Sequence, residues 1–243
     1  MASNDLNSGV ATVDGYQPLI PQEHVEQVLE LRKMLSGGGG GGADEGETTL
    51  PFLGLTLKVP SQVMTPCPVS PMLGGAVFAE VEEGDRVLDM GTGSGSLGIV
   101  AAGKASEVLA VDINPHAVEA VRVNAALNGV ADRVQSRVSD VFSEVDGTFD
   151  LIVFNPPFQW FAARDVADSA TTDEGYGALT RFFAEVRNHL AENGRVILFF
   201  STMGDVDYFQ KLVDGSGFQH EVVFRTVRPV ADLPIEFSVH RLS

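Results

Sequence analysis

The stretch VLDMGTGSGSLG, residues 87–98, leads from apolar positions through spaced glycines into a second apolar segment. Its first residues predict a buried strand, and the residues that follow the glycines predict a helix. The spacing Gly93-x-Gly95-x-x-Gly98 is typical of a loop whose backbone approaches a ligand closely, with amide groups at the helix start that favour an anion. A pyrophosphate and an amino-acid carboxylate would both fit there.

Strands and helices alternate on both sides of this loop. Strands are predicted at RVLDM, EVLAVD, RVQSRVSD, FDLIVFN and RVILFFS, and these are mostly apolar, which indicates a parallel sheet covered on both faces. The segments FQHEVVFRTV and IEFSVHRL follow with no helix between them, so they are expected to form an antiparallel hairpin. The sequence therefore predicts an α/β fold: a Rossmann-like, doubly wound, seven-stranded sheet, mostly parallel with a C-terminal antiparallel hairpin.

The connecting segments carry helix and turn signals. LPFLGLTLKVP predicts a short hairpin that turns near Gly54, and Asn193-Gly194 predicts another turn. Helices are predicted to begin near Ser70 and to cover 97–103, 115–127, 178–190 and 205–213.

Three aspartates end successive predicted strands: Asp89, Asp112 and Asp140. The carboxyl ends of parallel strands share the ligand-binding edge of a sheet, so these carboxylates are expected to converge. Asp112 is suited to accept two ribose hydroxyls, and Asp140 to contact an adenine amino group. Asp89 would attract a ligand ammonium or sulfonium and repel a phosphate. NAD would use Asp112 equally well, so this residue does not distinguish a dinucleotide from a ligand with a sulfonium group.

The stretch DLIVFNPPFQWF, residues 150–161, runs from a buried strand into a rigid corner. Two prolines fix φ and remove two backbone donors, so the strand must stop near Asn155. The carbonyl groups of Asn155 and Pro156 then lack strand partners of their own. A plain turn is the alternative explanation. Trp160, the only tryptophan, either caps a pocket or packs in the core.

Composition limits the classes of partner. There are 33 acidic and 16 basic residues, a net charge of −17, and no cluster of three lysines or arginines. A nucleic-acid partner is disfavoured because binding a polyanion needs concentrated positive charge. The single cysteine, the scattered histidines and the lack of a signal-like or membrane-length apolar run predict a cytoplasmic protein with no metal site and no membrane.

The N-terminal part has a different organisation from the rest. Apolar spacing predicts a helix over 21–35, and the six glycines at 37–42 predict a flexible linker. Two regions are expected: 1–48, a helix with its linker, and 49–243, the main domain that carries the glycine loop and the proline corner. A lid, a dimer contact and a docked cover are all open roles for the helix, and the oligomeric state is open as well.

Four motifs in order, VLDMGTGSGSLGIVAA, VLAVDINPHAVEAVRVNAALNGV, SDVF and FDLIVFNPPF, resemble the class I S-adenosylmethionine-dependent methyltransferases. They are most similar to the "small" methyltransferase group, which includes HemK/PrmC glutamine methyltransferases and base N-methyltransferases of rRNA and tRNA. The resemblance implies S-adenosylmethionine as cofactor and a planar nitrogen as acceptor. It implies that Asn155, Pro156 and Phe158 are catalytic. The implied cofactor-binding residues are Asp89, Gly91, Thr92, Gly93, Asp112, Ile113, Asp140, Val141 and Asn155.

In that family the proline corner holds an amide or exocyclic amine. The Asn155 side-chain oxygen and the Pro156 carbonyl would each accept one N–H bond, which turns the nitrogen lone pair toward the methyl group. Phe158 would offer its ring to a flat substrate. The acidic loop after Trp160 would suit a neutral or cationic acceptor.

Two departures bear on the acceptor. LKVPSQVMTPCPVSP occupies the place of an arginine-proline-glutamate stretch of the glutamine enzymes, and the N-terminal part is small, which disfavours a release factor as acceptor. A small molecule or another protein is the preferred acceptor. The alternatives are a tRNA or rRNA base methyltransferase, an O- or C-methyltransferase, an NAD-dependent oxidoreductase and a non-catalytic scaffold.

Overall fold

The computed structural model describes residues 16–37, 46–163 and 168–243. The helices within these ranges are α1 Gln22–Gly37, α2 Ser70–Glu80, α3 Ser96–Ala101, α4 Pro115–Leu127, α5 Gly177–Glu185 and α6 Val206–Ser216. The strands are β1 Glu47–Phe52, β2 Leu55–Pro60, β3 Arg86–Met90, β4 Glu107–Asp112, β5 Val134–Val138, β6 Phe149–Phe154, β7 Leu190–Ser201, β8 His220–Val230 and β9 Leu233–Leu242.

Seven strands form one sheet in the order β5-β4-β3-β6-β7-β9-β8. The first five are parallel, and β9 runs antiparallel to both β7 and β8. The predicted fold class, including the C-terminal hairpin, is confirmed. The strand order reverses between β4 and β6, with β3 at the centre, and this is where an open α/β sheet forms its ligand crevice.

The central strands are apolar on both faces. In β6, Leu151 and Val153 belong to one core cluster, whereas Ile152 and Phe154 belong to the other. Residues of α2 and α3 pack in the first cluster, and residues of α5 and α6 pack in the second. Side chains along a strand point alternately to opposite faces, so two covered faces require the continuous apolar runs seen in the sequence.

Two helix and turn predictions need correction. The helix predicted over 178–190 ends at Glu185, and a 3₁₀ segment Val186–His189 leads directly into β7. Leu179, Phe182 and Val186 are all fully buried at spacings of three and four residues, so the apolar pattern of a helix continues past the residue at which the α-helix ends. The predicted turn at Asn193-Gly194 lies instead inside β7, where the pairing with β6 shifts register.

The N-terminal helix forms as expected. It spans Gln22–Gly37 and buries Val25 and Val28 in the second core cluster. The predicted linker falls almost wholly outside the described residues, because only Gly37 of the glycine run is described, as the end of α1. No helix among the described residues has the length and apolar character needed to cross a bilayer.

Candidate active site

A cavity of about 430 Å³ opens at the carboxyl ends of the central strands. Eight of the predicted site residues line it: Gly91, Thr92, Gly93, Asp112, Ile113, Asp140, Val141 and Asn155. Three predicted site residues are absent from the lining: Asp89, Pro156 and Phe158. The fold therefore gathers most of the predicted residues at one place, as the topology of parallel strands requires.

Asp89 lies beneath the glycine loop instead of in the cavity. Its side chain is 1% exposed, and its Oδ2 atom accepts hydrogen bonds from the Thr92 hydroxyl at 2.6 Å and from the Gly98 N–H at 2.9 Å. Burial raises the pKa of Asp89 to about 6, although both hydrogen bonds oppose the shift. Asp89 thus holds the loop from below through its Oδ2 atom, and a contact between its carboxylate and a ligand stays a prediction.

Asp112 ties the end of β4 to the glycine loop. Its Oδ2 atom accepts the Gly93 N–H at 2.9 Å, and its Oδ1 atom accepts the Asn114 N–H at 2.9 Å. Gly93 has φ 55°, a left-handed conformation that favours glycine. Burial raises the pKa of Asp112, and the next residue, Ile113, is 61% exposed in the cavity wall. A fixed carboxylate beside an exposed apolar side chain suits a ligand with hydroxyl groups and a flat ring.

Asp140 already has a protein partner. The Arg181 guanidinium of α5 donates two hydrogen bonds to its carboxylate, each 2.8 Å long, and both residues line the cavity. Val141, the next residue, is β-branched and has φ 51°, an uncommon left-handed conformation that often marks a functional site. Arg181 therefore occupies the carboxylate of Asp140, and the adenine contact expected of this residue stays a prediction.

The corner after β6 presents one side-chain acceptor. The Oδ1 atom of Asn155 is buried and has no hydrogen-bond partner among the described residues. Pro157 lines the cavity, whereas Pro156 is buried, and no described donor reaches the Pro156 carbonyl. A buried acceptor that stays unpaired is unfavourable unless a ligand uses it.

Phe158 has a different role from the one expected. Its ring packs against Phe199 and Phe200 of β7, with centroid distances of 5.6 Å and 5.8 Å, so it does not offer a face to the cavity. Its carbonyl oxygen accepts a hydrogen bond of 2.5 Å from the Tyr176 hydroxyl. The second ring in question, Trp160, is 1% exposed and belongs to the core.

The acceptor loop, residues 159–177, forms the other wall as far as it is described. Thr172, Asp173 and Glu174 line the cavity. The loop is tied to the corner by backbone bonds, including Asp173 N–H to the Gln159 carbonyl at 2.7 Å. The Asp173 carboxylate accepts the N–H groups of Ala178 and Leu179 and so begins α5. One acidic residue of this wall, Asp173, therefore has a structural role at the start of α5.

The sequence prediction missed Arg181, Asn124 and the supporting role of Tyr176. Nothing in the spacing singles out Arg181. Asn124 could have been found, because it is a polar residue on the apolar face of α4 and is fully buried. Its side-chain NH₂ donates to the Ser94 carbonyl of the glycine loop at 2.9 Å.

The sequence matches one family model. The model of the methyltransferase small domain covers residues 76–222, which is more than half of the chain. This range includes the glycine loop, all three strand-end aspartates and the corner at Asn155.

Two relatives share extended similarity. A Methanocaldococcus jannaschii protein named "Putative protein N5-glutamine methyltransferase" is 34% identical over 190 residues, which cover 75% of this chain and 94% of the relative. The release factor glutamine methyltransferase of Lactococcus lactis is 31% identical over 162 residues, which cover 60% of this chain and 59% of the relative. The chain thus spans nearly all of the first relative and less than two thirds of the second.

A solved structure shares the fold. Methanocaldococcus jannaschii Trm5, in complex with adenosine, is similar with a TM-score of 0.61 at 24% identity, covering 82% of this chain and 56% of that one. At this identity the similarity concerns the fold alone. The family match and the archaeal relative carry more weight, because each extends over most of the catalytic region. The chain belongs to the methyltransferase small-domain family of class I S-adenosylmethionine-dependent methyltransferases.

Proposed function

We propose that this enzyme methylates the side-chain amide nitrogen of a glutamine, with S-adenosylmethionine as the methyl donor. The observation that carries the proposal is the buried Oδ1 atom of Asn155, which lines the cavity and has no partner among the described residues. An amide N–H is the complementary group, since an unpaired buried acceptor needs a donor.

The cavity residues fit the proposed cofactor. The volume of about 430 Å³ is that of a small-molecule site. Asp112 would hold ribose hydroxyls, Ile113 would pack against the adenine, and Gly91 and Gly93 would allow the backbone to approach. When bound, S-adenosylmethionine supplies a methyl group on a positively charged sulfur, which is an electrophile.

The corner would prepare a poor nucleophile. An amide nitrogen is weakly nucleophilic because its lone pair is delocalised into the carbonyl. The Asn155 Oδ1 atom, which lines the cavity, would accept one N–H of the NH₂ group and so fix the direction of the lone pair. The Pro156 carbonyl has no described donor but lies outside the cavity lining, so its acceptance of the second N–H stays a prediction. These acceptors stabilise the positive charge that develops on nitrogen, and the nitrogen then releases one proton to water. No strong base is required.

The names of the relatives support a glutamine in a protein as the acceptor. Both the archaeal and the Lactococcus lactis relatives are named as glutamine methyltransferases. The departure at 57–71 bears on which protein is modified, because Gln62, Met64 and Pro66 of that segment line the mouth of the cavity.

Replacement of Asn155 by alanine tests the proposal. We expect Asn155→Ala to lower kcat at least about 100-fold, because one transition-state acceptor is lost. The dissociation constant of S-adenosylhomocysteine should change by less than about threefold, since Asp112 and the glycine loop stay intact. The assay uses wild type and variant with peptides that each contain one glutamine, and mass spectrometry locates the added methyl group.

Matched peptides with asparagine in place of glutamine serve as the substrate control. Methylation of a carboxylate or hydroxyl instead of the amide would contradict the proposal. Failure of S-adenosylhomocysteine to bind the wild-type protein in calorimetry would contradict it at the level of the cofactor.

A further inference from the structure

Three tyrosines form a cluster behind the proline corner. The tyrosine cluster consists of Tyr16, Tyr176 and Tyr208, and its ring centroids lie 5.0 Å to 5.4 Å apart. Tyr16 comes from the segment that precedes α1, Tyr176 ends the acceptor loop, and Tyr208 lies in α6. None of the three lines the cavity, so the cluster supports the site from outside.

Tyr176 is hydrogen-bonded to the corner itself. Its hydroxyl donates to the Phe158 carbonyl at 2.5 Å and accepts the Asp205 N–H at 2.7 Å. Gly204 packs against the same oxygen atoms so closely that an added Cβ would overlap the Phe158 carbonyl and lie 2.8 Å from the Tyr176 hydroxyl. The Phe158 carbonyl, at the end of the corner, is thus held between the Tyr176 hydroxyl and the backbone of Gly204, which has no side chain.

The backbone of Tyr176 is strained. It has φ 56° and ψ 35°, a left-handed conformation that a bulky side chain rarely adopts. Its side chain is fully buried, and burial raises its pKa, so the hydroxyl keeps its proton and remains a donor. Such strain persists only where surrounding contacts enforce it, and it is concentrated at functional sites.

The N-terminal segment completes these contacts. The Tyr16 hydroxyl and the Leu19 N–H both donate to Oδ2 of Asp205, at 2.5 Å each. Asp205 is fully buried, and its Oδ1 atom accepts the Tyr208 N–H at the start of α6. Asp205 therefore links the N-terminal segment to Tyr176, because its carboxylate accepts the Tyr16 hydroxyl and its own N–H donates to the Tyr176 hydroxyl.

Arg32 of α1 contacts the acceptor loop at a second place. Its guanidinium donates to Oδ2 of Asp168 and to the Ala162 carbonyl, each at 3.2 Å, and lies 4.3 Å from the centre of the Phe161 ring. Residues 16–34 thus contact the rest of the enzyme at two places, at Asp205 behind the corner and along the acceptor loop.

We propose that Tyr176 is a positioning residue for the Asn-Pro-Pro-Phe corner, and that residues 16–34 complete its support through the Tyr16–Asp205 hydrogen bond. The inference rests on the proposed function, in which the corner orients the acceptor amide. Tyr176 acts through the Phe158 carbonyl, so its loss displaces the corner and leaves Asp112 and the glycine loop unchanged. This assigns the N-terminal segment, residues 16–34, to the active site as a support.

Trp160 allows a test that does not depend on the acceptor. It is the only tryptophan, it lies two residues after the corner, and its ring centroid lies 6.5 Å from Tyr16 and 6.3 Å from Tyr176. In the full-length protein, Tyr176→Phe and Tyr16→Phe should each raise acrylamide quenching of Trp160 at least about twofold, because local opening exposes the ring. Tyr208→Phe is the matched control, since among the described residues its hydroxyl bonds only Thr180, on the exposed side of the cluster.

Kinetics provide the second readout. With glutamine peptides, kcat should fall at least about tenfold in Tyr176→Phe, whereas the S-adenosylhomocysteine dissociation constant stays as in wild type. If wild type methylates no amide, the proposed function fails, and the Trp160 quenching still decides the positioning role.

Wild-type quenching in both Tyr176→Phe and Tyr16→Phe would overturn the proposal. An equal rise of Trp160 quenching in the Tyr208→Phe control would also overturn it, because loss of any hydroxyl of the cluster would then open the corner. Should circular dichroism show that Tyr176→Phe does not fold, Tyr16→Phe decides by the same quenching criterion.

Discussion

The side-chain oxygen of Asn155, Oδ1, is a buried acceptor that has no hydrogen-bond partner among the described residues. A buried polar atom without a partner costs about 1–3 kcal/mol, and stable proteins retain such atoms mainly where function uses them. Asp89 shows the opposite case, because the Thr92 hydroxyl and the Gly98 N–H both donate to its buried Oδ2 atom. The two residues look equally suited to a ligand in the sequence, but only Asn155 keeps its acceptor available.

Gly204 is a residue where one methyl group should matter. Gly204→Ala should lower the free energy of unfolding by about 1–3 kcal/mol, because the new Cβ overlaps the Phe158 carbonyl, which is backbone and cannot move aside freely. Urea denaturation measures the change. Gly215→Ala in α6 is the control: no atom lies within 4 Å of its added Cβ, so stability should hold or rise by up to about 1 kcal/mol. Equal effects at the two sites would refute the close-contact explanation.

At the scale of elements, two asparagines of the α4 region join it to the short hairpin. Asn124 accepts the Lys58 N–H and donates to the Lys58 carbonyl, and Asn128 does the same with Thr56. The pair stands in for a neighbouring strand along β2, whose backbone groups would otherwise lack partners on that side. Asn124 also holds the glycine loop through Ser94, so this junction connects the hairpin to the cofactor site.

Asn124→Ala should therefore destabilise the protein much more than Asn128→Ala. The first change leaves three backbone groups unpaired at a fully buried site and should cost about 2–4 kcal/mol. The second acts at exposed Thr56 and should cost less than about 1 kcal/mol. Urea midpoints test the difference, and S-adenosylhomocysteine affinity should weaken in Asn124→Ala only. Similar midpoints for both variants would show that burial of the junction is unimportant.

For the whole molecule, buried carboxyl groups make the free energy of unfolding depend on pH. The net charge is −17, and burial raises the pKa of Asp89, Asp112 and Asp173. A carboxyl whose pKa is higher in the folded than in the unfolded state stabilises the fold while it is protonated. That contribution is complete below the unfolded pKa and is lost as the pH rises through the folded value.

Asp89→Asn isolates one of these contributions. The pKa of Asp89 is about 6 in the folded protein against an ordinary value of 3.8. The free energy of unfolding of wild type minus that of Asp89→Asn should fall by about 2 kcal/mol between pH 4 and pH 7. Urea titrations of both proteins across this range provide the measurement. A difference that stays constant with pH would contradict a raised pKa at this carboxyl.

The sequence by itself determined the strand pattern, the C-terminal hairpin and the position of the cavity. These features depend on local chemistry: apolar runs make buried strands, glycines open the loop after β3, and prolines end β6. The convergence of strand ends then follows from the parallel topology, so Gly93, Asp112 and Asn155 could be placed together before any coordinates were known.

Only the tertiary structure decided which side chains face the cavity and what supports them. Phe158 turns toward β7 because Phe199 and Phe200 offer it an apolar surface, and Asp140 meets Arg181, 41 positions away. Tyr16 and Asp205 are 189 positions apart and still share a hydrogen bond. Side-chain direction depends on packing between elements that are distant in the chain, and local periodicity carries no information about such contacts.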